Sequence, residues 1–326
     1  MDLVLNSYGA SLSKDHEGFL ITTKDGKQRI PTDGIKSILI SKGAQITSDA
    51  AILAVEKEIE VLFLDNTGNP IGRIWSSRFG SVSTIRKGQV DFSFSPNSVT
   101  WIKEVVCKKI ENQQALLLSL ITYNTDLEEI IQKTVSTLQD YISKIKVTNG
   151  ESIPDIAHQL RGWEGQSSKK YFWAINHFLP PTYQFRERSQ HPALDIINAL
   201  LNYGYGILYG KIEGALIKAG IDPYIGIFHR DDYNRPVLAY DIIELYRVWV
   251  DYVVIAICCQ QIVTDECYSQ KEDGSVWLEP LGKRILIQSL NDYMEEVILM
   301  NGKSRSRLNH IENYAQQLAQ LFKNQI

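Results

Sequence analysis

The feature that most constrains the fold is a change in hydrophobic period near residue 92. Before it, apolar residues alternate with polar ones or form short β-branched runs, as in LVLNSYGASLS and GFLITTKDGKQRIP, and these patterns predict strands joined by turns. After it, apolar residues recur every three or four positions over long segments, which predicts amphipathic helices; examples are WIKEVVCKKIENQQALLLSL, DIIELYRVWVDYVVIAICCQQ and KRILIQSLNDYMEEVILM. The sequence therefore predicts an α+β protein: a small N-terminal β-rich domain followed by a larger all-α C-terminal domain.

The Ser-rich stretch FSFSPNS, at residues 92–98, separates the two patterns and contains Pro96. We therefore place the predicted domains at residues 1–92 and 93–326. One helix is expected inside the β-rich domain, at SDAAILAVEKEIE, where Ser48 is a suitable N-cap.

Composition excludes several classes of protein. The 326 residues are enough for two domains with separate cores, and the formal net charge of −4 argues against a protein whose whole surface binds nucleic acid. The four cysteines form no C-x-x-C pair, and the first residues lack the pattern of a secretory leader, so we expect a reduced, cytoplasmic protein. The most apolar run, VWVDYVVIAICC, contains Asp251 and is too short to span a bilayer, so no membrane association is expected.

Glu164 is the first candidate for chemistry. It lies between Trp163 and Gly165 in an apolar helical segment, and Lys169 and Lys170 follow within two turns. A carboxylate in such a segment can bind a hard cation while the lysines face a phosphate backbone. The alternative is a surface glutamate that pairs with a lysine of the same helix.

A second candidate group begins at His229, which ends the apolar segment YIGIF. Asp241 and Glu244 lie three residues apart on one face of the next helical segment. An ordinary core histidine beside an exposed acidic helix start is the alternative. Considered together with Glu164, one imidazole and several carboxylates suit Mg²⁺ or Mn²⁺ better than a closed zinc site, because hard ions prefer oxygen ligands.

Two further segments are informative. In KKYFWAINHFLPPTYQFRERS, aromatic residues alternate with basic residues, including Arg186 and Arg188, which fits nucleic acid as well as it fits solvated loop charges over core aromatics. In NALLNYGYGILYGKIEGALIKAG, the four-residue spacing of Gly206, Gly210 and Gly214 predicts close helix packing rather than a phosphate loop.

The segments LRGWEGQSSKKYFWAI, NALLNYGYGILYGKIEGALIKAGIDPYIGIFH and RPVLAYDIIELYR, in that order and at that separation, resemble the CRISPR-associated Cas1 family. The N-terminal segment SKGAQITSDAAILAVEKEIEVLFLD is also similar to the helix and following strand of that family's β domain. The resemblance covers nearly the whole chain.

The resemblance implies one divalent ion, Mg²⁺ or Mn²⁺, held by Glu164, His229 and Glu244. Many members carry aspartate at the last position, so Asp241, one turn earlier, is either a neighbour or the competing ligand. The candidates for DNA binding are Arg161, Lys169, Lys170, Arg186, Arg188, Asn202 and Tyr205.

The resemblance also implies a metal-dependent DNA endonuclease and integrase of CRISPR adaptation, which joins the 3′ ends of protospacer DNA to the CRISPR repeat by transesterification and also nicks DNA. The expected partners are DNA, a second copy of this chain bound through the β-rich domain, and the Cas2 protein. Two alternatives remain: a non-catalytic DNA-binding scaffold whose acids only pair with Arg161, Arg186 or Arg247, and a mobile-element integrase of the same fold.

Overall fold

The structure is a computed structural model that describes residues 2–35, 37–65, 70–74, 82–122, 125–190, 192–229, 235–300 and 302–325. The chain folds as two compact units, Met1–Gly80 and Ser81–Ile326. The fold is α+β, with a β-rich first unit and a mostly helical second unit. The division falls earlier than the predicted boundary at residues 92–98, because the helix at 82–93 packs against the last helix of the second unit.

The first unit contains, in its described residues, two four-stranded sheets and one helix. Its elements are β1 (Asp2–Leu5), β2 (Ser11–Asp15), β3 (Gly18–Thr23), β4 (Gly26–Pro31), β5 (Ser37–Ser41), β6 (Gln45–Ile46), α1 (Ser48–Glu56), β7 (Glu60–Leu64) and β8 (Pro70–Ile74). One sheet has the order β1-β5-β7-β8 and is parallel except for the antiparallel β7–β8 pair. The other has the order β4-β3-β2-β6 and is antiparallel except for the parallel β2–β6 pair.

The core of this unit is formed by alternate residues of its strands. In β5, Ile38 and Ile40 are buried and their sequence neighbours are partly exposed. Helix α1 packs on β2 and β7, and its Ala50 is fully buried. The N-cap is Thr47 rather than the predicted Ser48, because Thr47 is extended and its side chain accepts a hydrogen bond from the Ala50 N–H.

In the second unit, one helix, residues 196–218, contacts four others. Its helices are α2 (Val82–Ser93), α3 (Pro96–Ile121), α4 (Glu128–Val147), α5 (Ile153–Phe178), α6 (Ile196–Lys218), α7 (Val237–Ile243), α8 (Arg247–Cys259), α9 (Pro280–Glu295) and α10 (Arg307–Lys323). Helices α3, α4 and α5 pack on one another, and α6 contacts α7, α8, α9 and α10. A Cβ at Gly204 would lie 2.6 Å from Val250 Cγ1, so α6 and α8 approach closely there. Gly210 and Gly214, predicted to serve helix packing, are buried on the same helix.

The second unit is mostly helical, in agreement with the predicted helical domain, but it departs from an all-α domain in two places. Two short hairpins occur among its described residues, formed by β9 (Tyr268–Gln270) with β10 (Val276–Leu278) and by β11 (Val297–Met300) with β12 (Lys303–Ser306). Gly274 and Gly302 adopt positive φ in the connecting turns, which favours glycine. The predicted helix KRILIQSLNDYMEEVILM therefore ends at Glu295, and its last apolar residues pair as a strand. Within the described ranges, no helix combines the length and apolarity needed to cross a bilayer.

The predicted helix DIIELYRVWVDYVVIAICCQQ is interrupted. Helix α7 ends at Ile243 and α8 begins at Arg247. Between them, the N–H groups of Leu245 and Tyr246 donate to carbonyls three residues back, at 3.1 and 2.9 Å, which forms a tight turn. The side chain of Asn112, on α3, donates to the Leu245 carbonyl at 2.8 Å and so satisfies a backbone group that the interruption leaves outside a helix.

Candidate active site

The two glutamates proposed as metal ligands meet at a buried lysine. Glu164 lies on α5 and Glu244 directly follows α7, and Lys109 of α3 reaches both. The Lys109 Nζ atom contacts Glu164 Oε1 and lies 2.5 Å from Glu244 Oε2. The side chain of Lys109 is 6% exposed, against 24% for Glu164 and 12% for Glu244. The fold therefore brings two carboxylates from distant segments to one cation.

Glu244 has a second cationic partner in Arg247, whose Nε donates to Oε1 at 2.8 Å. Burial raises the pKa of Glu244, but Arg247 and Lys109 outweigh burial and hold the pKa to about 2. Burial lowers the pKa of Lys109, but Glu244 and Glu164 outweigh it, so the net direction of that pKa is upward. Glu244 and Lys109 are therefore both charged at neutral pH.

The Lys109 ammonium lies 2.5 Å from Glu244 Oε2. At this distance the two charged groups make a close, charge-assisted contact, which contributes to the low pKa of Glu244.

Asp241 fixes the position of His229. The Asp241 side chain is completely buried and accepts the backbone N–H groups of Ile227, Phe228 and His229, each at 3.0 Å. The His229 Nδ1 atom lies 2.6 Å from Asp241 Oδ1. A carboxylate accepts hydrogen bonds, so Nδ1 donates, and Nε2 is the nitrogen that a neutral imidazole keeps for a ligand.

The donor set fits a hard divalent ion in kind. Glu164 and Glu244 supply carboxylate oxygens and His229 supplies an imidazole nitrogen. Burial lowers the pKa of His229, but Asp241 and, to a smaller extent, Glu244 and Glu164 raise it overall, so the three groups share one electrostatic neighbourhood. Across the ranges that the structure describes, no three His, Cys, Asp or Glu side chains are arranged as a metal-binding group. Lys109 lies between the two glutamates, and Asp241 uses its oxygens on the backbone and on His229.

Arg161 supports the segment that carries His229. Its guanidinium donates to the Phe228 carbonyl at 2.7 Å and lies over the Phe228 ring, 4.9 Å from its centroid. Arg161, a predicted DNA-binding residue, therefore also positions the residue directly before His229.

Tyr205 belongs to a buried hydrogen-bond network next to Arg247, the partner of Glu244. Its hydroxyl donates to Asp251, which also accepts a hydrogen bond from Tyr171 at 2.8 Å. Burial raises the pKa of Asp251 to about 6 against the lowering effect of the two hydroxyls. The Arg247 guanidinium lies over the Tyr205 ring at 4.6 Å from its centroid. This ring helps to orient the guanidinium that binds Glu244.

Four of the predicted DNA-binding residues are exposed, and one of them is Arg161, described above. Lys169 and Lys170 lie on the exposed side of α5, and Arg186 lies in the loop that follows this helix. Trp173, one turn after Lys169 on α5, is 50% exposed. Cations and an aromatic ring are thus available to a ligand on the helix that carries Glu164.

Arg188 and Asn202 are placed differently. The guanidinium of Arg188 is partly buried, contacts Asn198 and donates to Asn202 at 2.9 Å. Burial lowers the pKa of Arg188. The amide nitrogen of Asn202 donates to the carbonyls of Ser189 and Gln190, both at 3.0 Å. Both side chains therefore hold the loop before α6, and this structural task was not predicted.

The sequence did carry a signal for Lys109, the main residue that was missed. Lys109 follows Val106 by three residues and precedes Ile110, and both are buried on α3. A lysine on the apolar face of an amphipathic helix indicates a buried ion pair, because an unpaired charge there is costly. Its partners cannot be identified from α3 alone, since they come from α5 and the end of α7.

Known proteins are similar to this chain over most of its length. A CRISPR-associated endonuclease Cas1 of Archaeoglobus fulgidus is 30% identical over 318 residues, which cover 93% of this chain and 91% of that protein. A casposase bound to integration product has a TM-score of 0.82 at 22% identity, covering 100% of this chain and 91% of that one. A chain of a Cas6-RT-Cas1–Cas2 complex has a TM-score of 0.80 at 24% identity; it covers all of this chain, which spans only 35% of that longer one.

The structural likenesses, at these identities, establish the fold. The family is established by sequence: the profile of CRISPR associated protein Cas1 matches residues 3–292, a range that contains Glu164, His229 and Glu244. The chain belongs to the CRISPR-associated Cas1 family.

Proposed function

We propose that this chain is a divalent-metal-dependent DNA endonuclease and integrase of CRISPR adaptation. It joins the 3′ ends of a protospacer duplex to the CRISPR repeat by transesterification, and it nicks DNA when water takes the place of the 3′-hydroxyl. The observation that carries the proposal is the convergence of Glu164 and Glu244 beside a histidine that Asp241 orients. The endonuclease name of a relative and the likeness to a casposase bound to integration product support the same chemistry.

In this mechanism, Glu164, Glu244 and His229 would hold Mg²⁺ or Mn²⁺. The bound ion would polarise the phosphodiester and stabilise the charge that develops during in-line attack. Asp241 keeps the imidazole oriented through Nδ1, which leaves Nε2 for the ion. Arg247 holds Glu244 in its ionised form, which is the form that binds a metal.

The DNA backbone would contact the exposed cations near this site. Lys169, Lys170 and Arg186 can neutralise phosphates, and the exposed ring of Trp173 can stack on an unpaired base. These contacts are independent of sequence, so the repeat is recognised by other features or by partners.

The proposed assembly is a homodimer that works with Cas2. Joining both ends of one duplex needs two sites at a fixed separation, and a single chain offers one such constellation in its described residues. The β-rich unit, residues 1–80, is the proposed dimer interface because sheet edges favour pairing. A solved complex that names both Cas1 and Cas2 contains a chain of this fold, which supports Cas2 as the partner.

A non-catalytic DNA-binding scaffold is the second candidate, and one observation favours it. Glu244 is paired with both Arg247 and Lys109, as a purely structural carboxylate would be. A mobile-element integrase of the same fold is a narrower alternative, favoured by the casposase likeness.

One assay separates these functions. The purified chain, with its Cas2 partner, is incubated with a 3′-ended duplex and a repeat-bearing plasmid, with Mg²⁺, with Mn²⁺ or with chelator. We expect metal-dependent joining at the repeat. DNA binding without joining in any metal would support the scaffold, and joining at a mobile-element target in preference to the repeat would support the narrower alternative.

A further inference from the structure

We infer that Lys109 is the resident cation of the Glu164–Glu244 pair, and that a divalent ion must displace its ammonium group in order to bind. The inference rests on the proposed function, because it concerns the same site. It assigns to Lys109 a role as a positioning residue: it holds the two acids together and competes with the metal for them.

Lys109 occupies the position that an ion shared by the two acids would take. Lys109 Nζ contacts Glu164 Oε1 and lies 2.5 Å from Glu244 Oε2. Carboxylate oxygens bind Mg²⁺ at about 2.0–2.1 Å, so an ion shared by these two oxygens would occupy nearly the space that Nζ holds. The ammonium and the ion therefore exclude each other from the acid pair.

The charges of the two acids and their two cationic partners balance. Glu164 and Glu244 carry two formal negative charges, and Lys109 and Arg247 already supply two positive ones. A divalent ion added to this balanced group would leave two positive charges in excess, in a place where the lysine side chain is only 6% exposed and water screens weakly. Moving the Lys109 ammonium away lowers this repulsion.

A second polar site for the ammonium lies on the same helix. Gln113 lies one turn after Lys109 on α3 and is buried. Its Oε1 atom is buried and accepts no hydrogen bond from the described residues. A buried acceptor of this kind is costly unless something binds it, and the flexible four-carbon stem of lysine lets an ammonium move without moving the helix. The geometry points to Gln113 Oε1 as the acceptor of the displaced ammonium.

The test measures Mn²⁺ affinity by calorimetry on the full chain without DNA. Lys109→Met keeps the length of the side chain and removes its charge, and we expect Mn²⁺ to bind about tenfold more tightly than to the wild type. Lys108→Met is the matched control, because Lys108 is the adjacent residue, is exposed and pairs only weakly with Glu111 at 3.4 Å. It should leave the affinity unchanged. Equal or weaker binding by a folded Lys109→Met variant overturns the inference.

A double-mutant cycle separates displacement from simple charge repulsion. Gln113→Leu removes the proposed acceptor, so it should weaken Mn²⁺ binding about threefold to tenfold in the wild-type background. It should have no effect in the Lys109→Met background, where there is no ammonium to receive. An equal effect of Gln113→Leu in both backgrounds contradicts the displacement.

Two more variants test Lys109 by a second substitution and the metal site by itself. If Lys109→Met does not fold, Lys109→Arg takes its place: the guanidinium fork binds carboxylates more firmly than an ammonium, so Mn²⁺ affinity should fall below that of the wild type. An arginine variant that binds Mn²⁺ as well as the wild type would overturn the inference. Glu164→Gln tests the proposed function separately. If it leaves Mn²⁺ affinity unchanged, the metal site itself is refuted, whatever Lys109 does.

Discussion

At the scale of single residues, the two acids of the segment 241–244 divide their tasks by position. Asp241 is completely buried and satisfies three backbone N–H groups as well as the imidazole of His229. Glu244 instead faces two cations from α3 and α8. The sequence left open which of the two is the third ligand. We therefore propose Glu244, with Asp241 as the group that orients His229.

This division predicts the outcome of Asp241→Asn. The amide keeps the volume but replaces one acceptor oxygen with a donor, so the free energy of unfolding should fall by about 1–3 kcal/mol. Mn²⁺ affinity should fall by about 10- to 100-fold, because the imidazole loses its orienting partner. Calorimetry and chemical denaturation measure the two effects, with Asp140→Asn on the exposed face of α4 as the matched control. Unchanged Mn²⁺ affinity in the folded variant would falsify the positioning role.

Asp251 gives a pH-dependent prediction. Burial raises its pKa from 3.8 to about 6, so the protonated form is favoured in the folded state. Its contribution to stability is therefore present below pH 3.8 and is lost as the pH rises toward 6, on the order of 3 kcal/mol for a fully buried group.

Asp251→Asn removes this titration. The destabilisation caused by the substitution should be larger near pH 4 than near pH 6.5, because only the wild-type protein loses stability over that interval. Unfolding by denaturant at both pH values measures the difference. If the destabilisation is the same at the two pH values, or grows as the pH rises, then Asp251 does not titrate as its burial indicates.

For helices and strands, the sequence predicted which elements form better than it predicted the residues at which they end. The apolar periodicity of 241–261 was visible, but its interruption at Glu244 was not, because the interruption is stabilised by a hydrogen bond from Asn112 on a different helix. The run VILM, at the end of a helical pattern, becomes a strand because it pairs with Lys303–Ser306. Both departures depend on tertiary partners, which local periodicity does not report.

We predict that DNA phosphates bind along the exposed side of α5 and the loop after it. Replacing Lys169, Lys170 and Arg186 together with glutamine should weaken DNA binding for all sequences. It should also reduce the slope of log affinity against log salt by about 0.9 for each lost phosphate contact. Fluorescence anisotropy at several salt concentrations measures the slope.

Arg188→Gln is the contrasting variant for this track. Because Arg188 is partly buried and bound to Asn202, its loss should lower thermal stability and change the salt slope little. If the salt slope is unchanged in the triple variant, or is reduced by Arg188→Gln alone, the DNA does not bind along Lys169, Lys170 and Arg186 as predicted.

At the scale of the whole molecule, the order of a β-rich unit and a helical unit follows from hydrophobic period and was predictable. The candidate site was predictable only in part. The segments indicated Glu164, His229, Asp241 and Glu244 as candidates, and the resemblance to the Cas1 family selected Glu164, His229 and Glu244 as ligands. Lys109 and the role of Asp241 depend on which helices meet. The paired state of Glu164 with Lys109 in particular requires α3 and α5 to be in contact, and nothing in either segment alone specifies this.

For the whole molecule, the proposed homodimer has a mass that can be measured. Because both ends of a duplex are to be joined, we expect the full chain to be a dimer at micromolar concentration, with twice the chain mass of 37.1 kDa by light scattering. A chain that lacks residues 1–80 should be monomeric, since the β-rich unit is the proposed interface. A monomeric full chain removes the argument for paired sites, and a dimer that survives the deletion moves the interface to the helical unit.

The most direct test of the metal site is strand joining by Glu164→Gln. The wild-type chain with Cas2 should join a 3′-ended duplex to a repeat-bearing plasmid in Mn²⁺ or Mg²⁺ and not in chelator. Glu164→Gln should join at least about 100-fold more slowly, because it loses a carboxylate that a hard ion needs. The matched control, Glu129→Gln on the exposed face of α4, should match the wild type. Joining by a folded Glu164→Gln chain at the wild-type rate, or joining by the wild type in chelator, would contradict the proposed metal site.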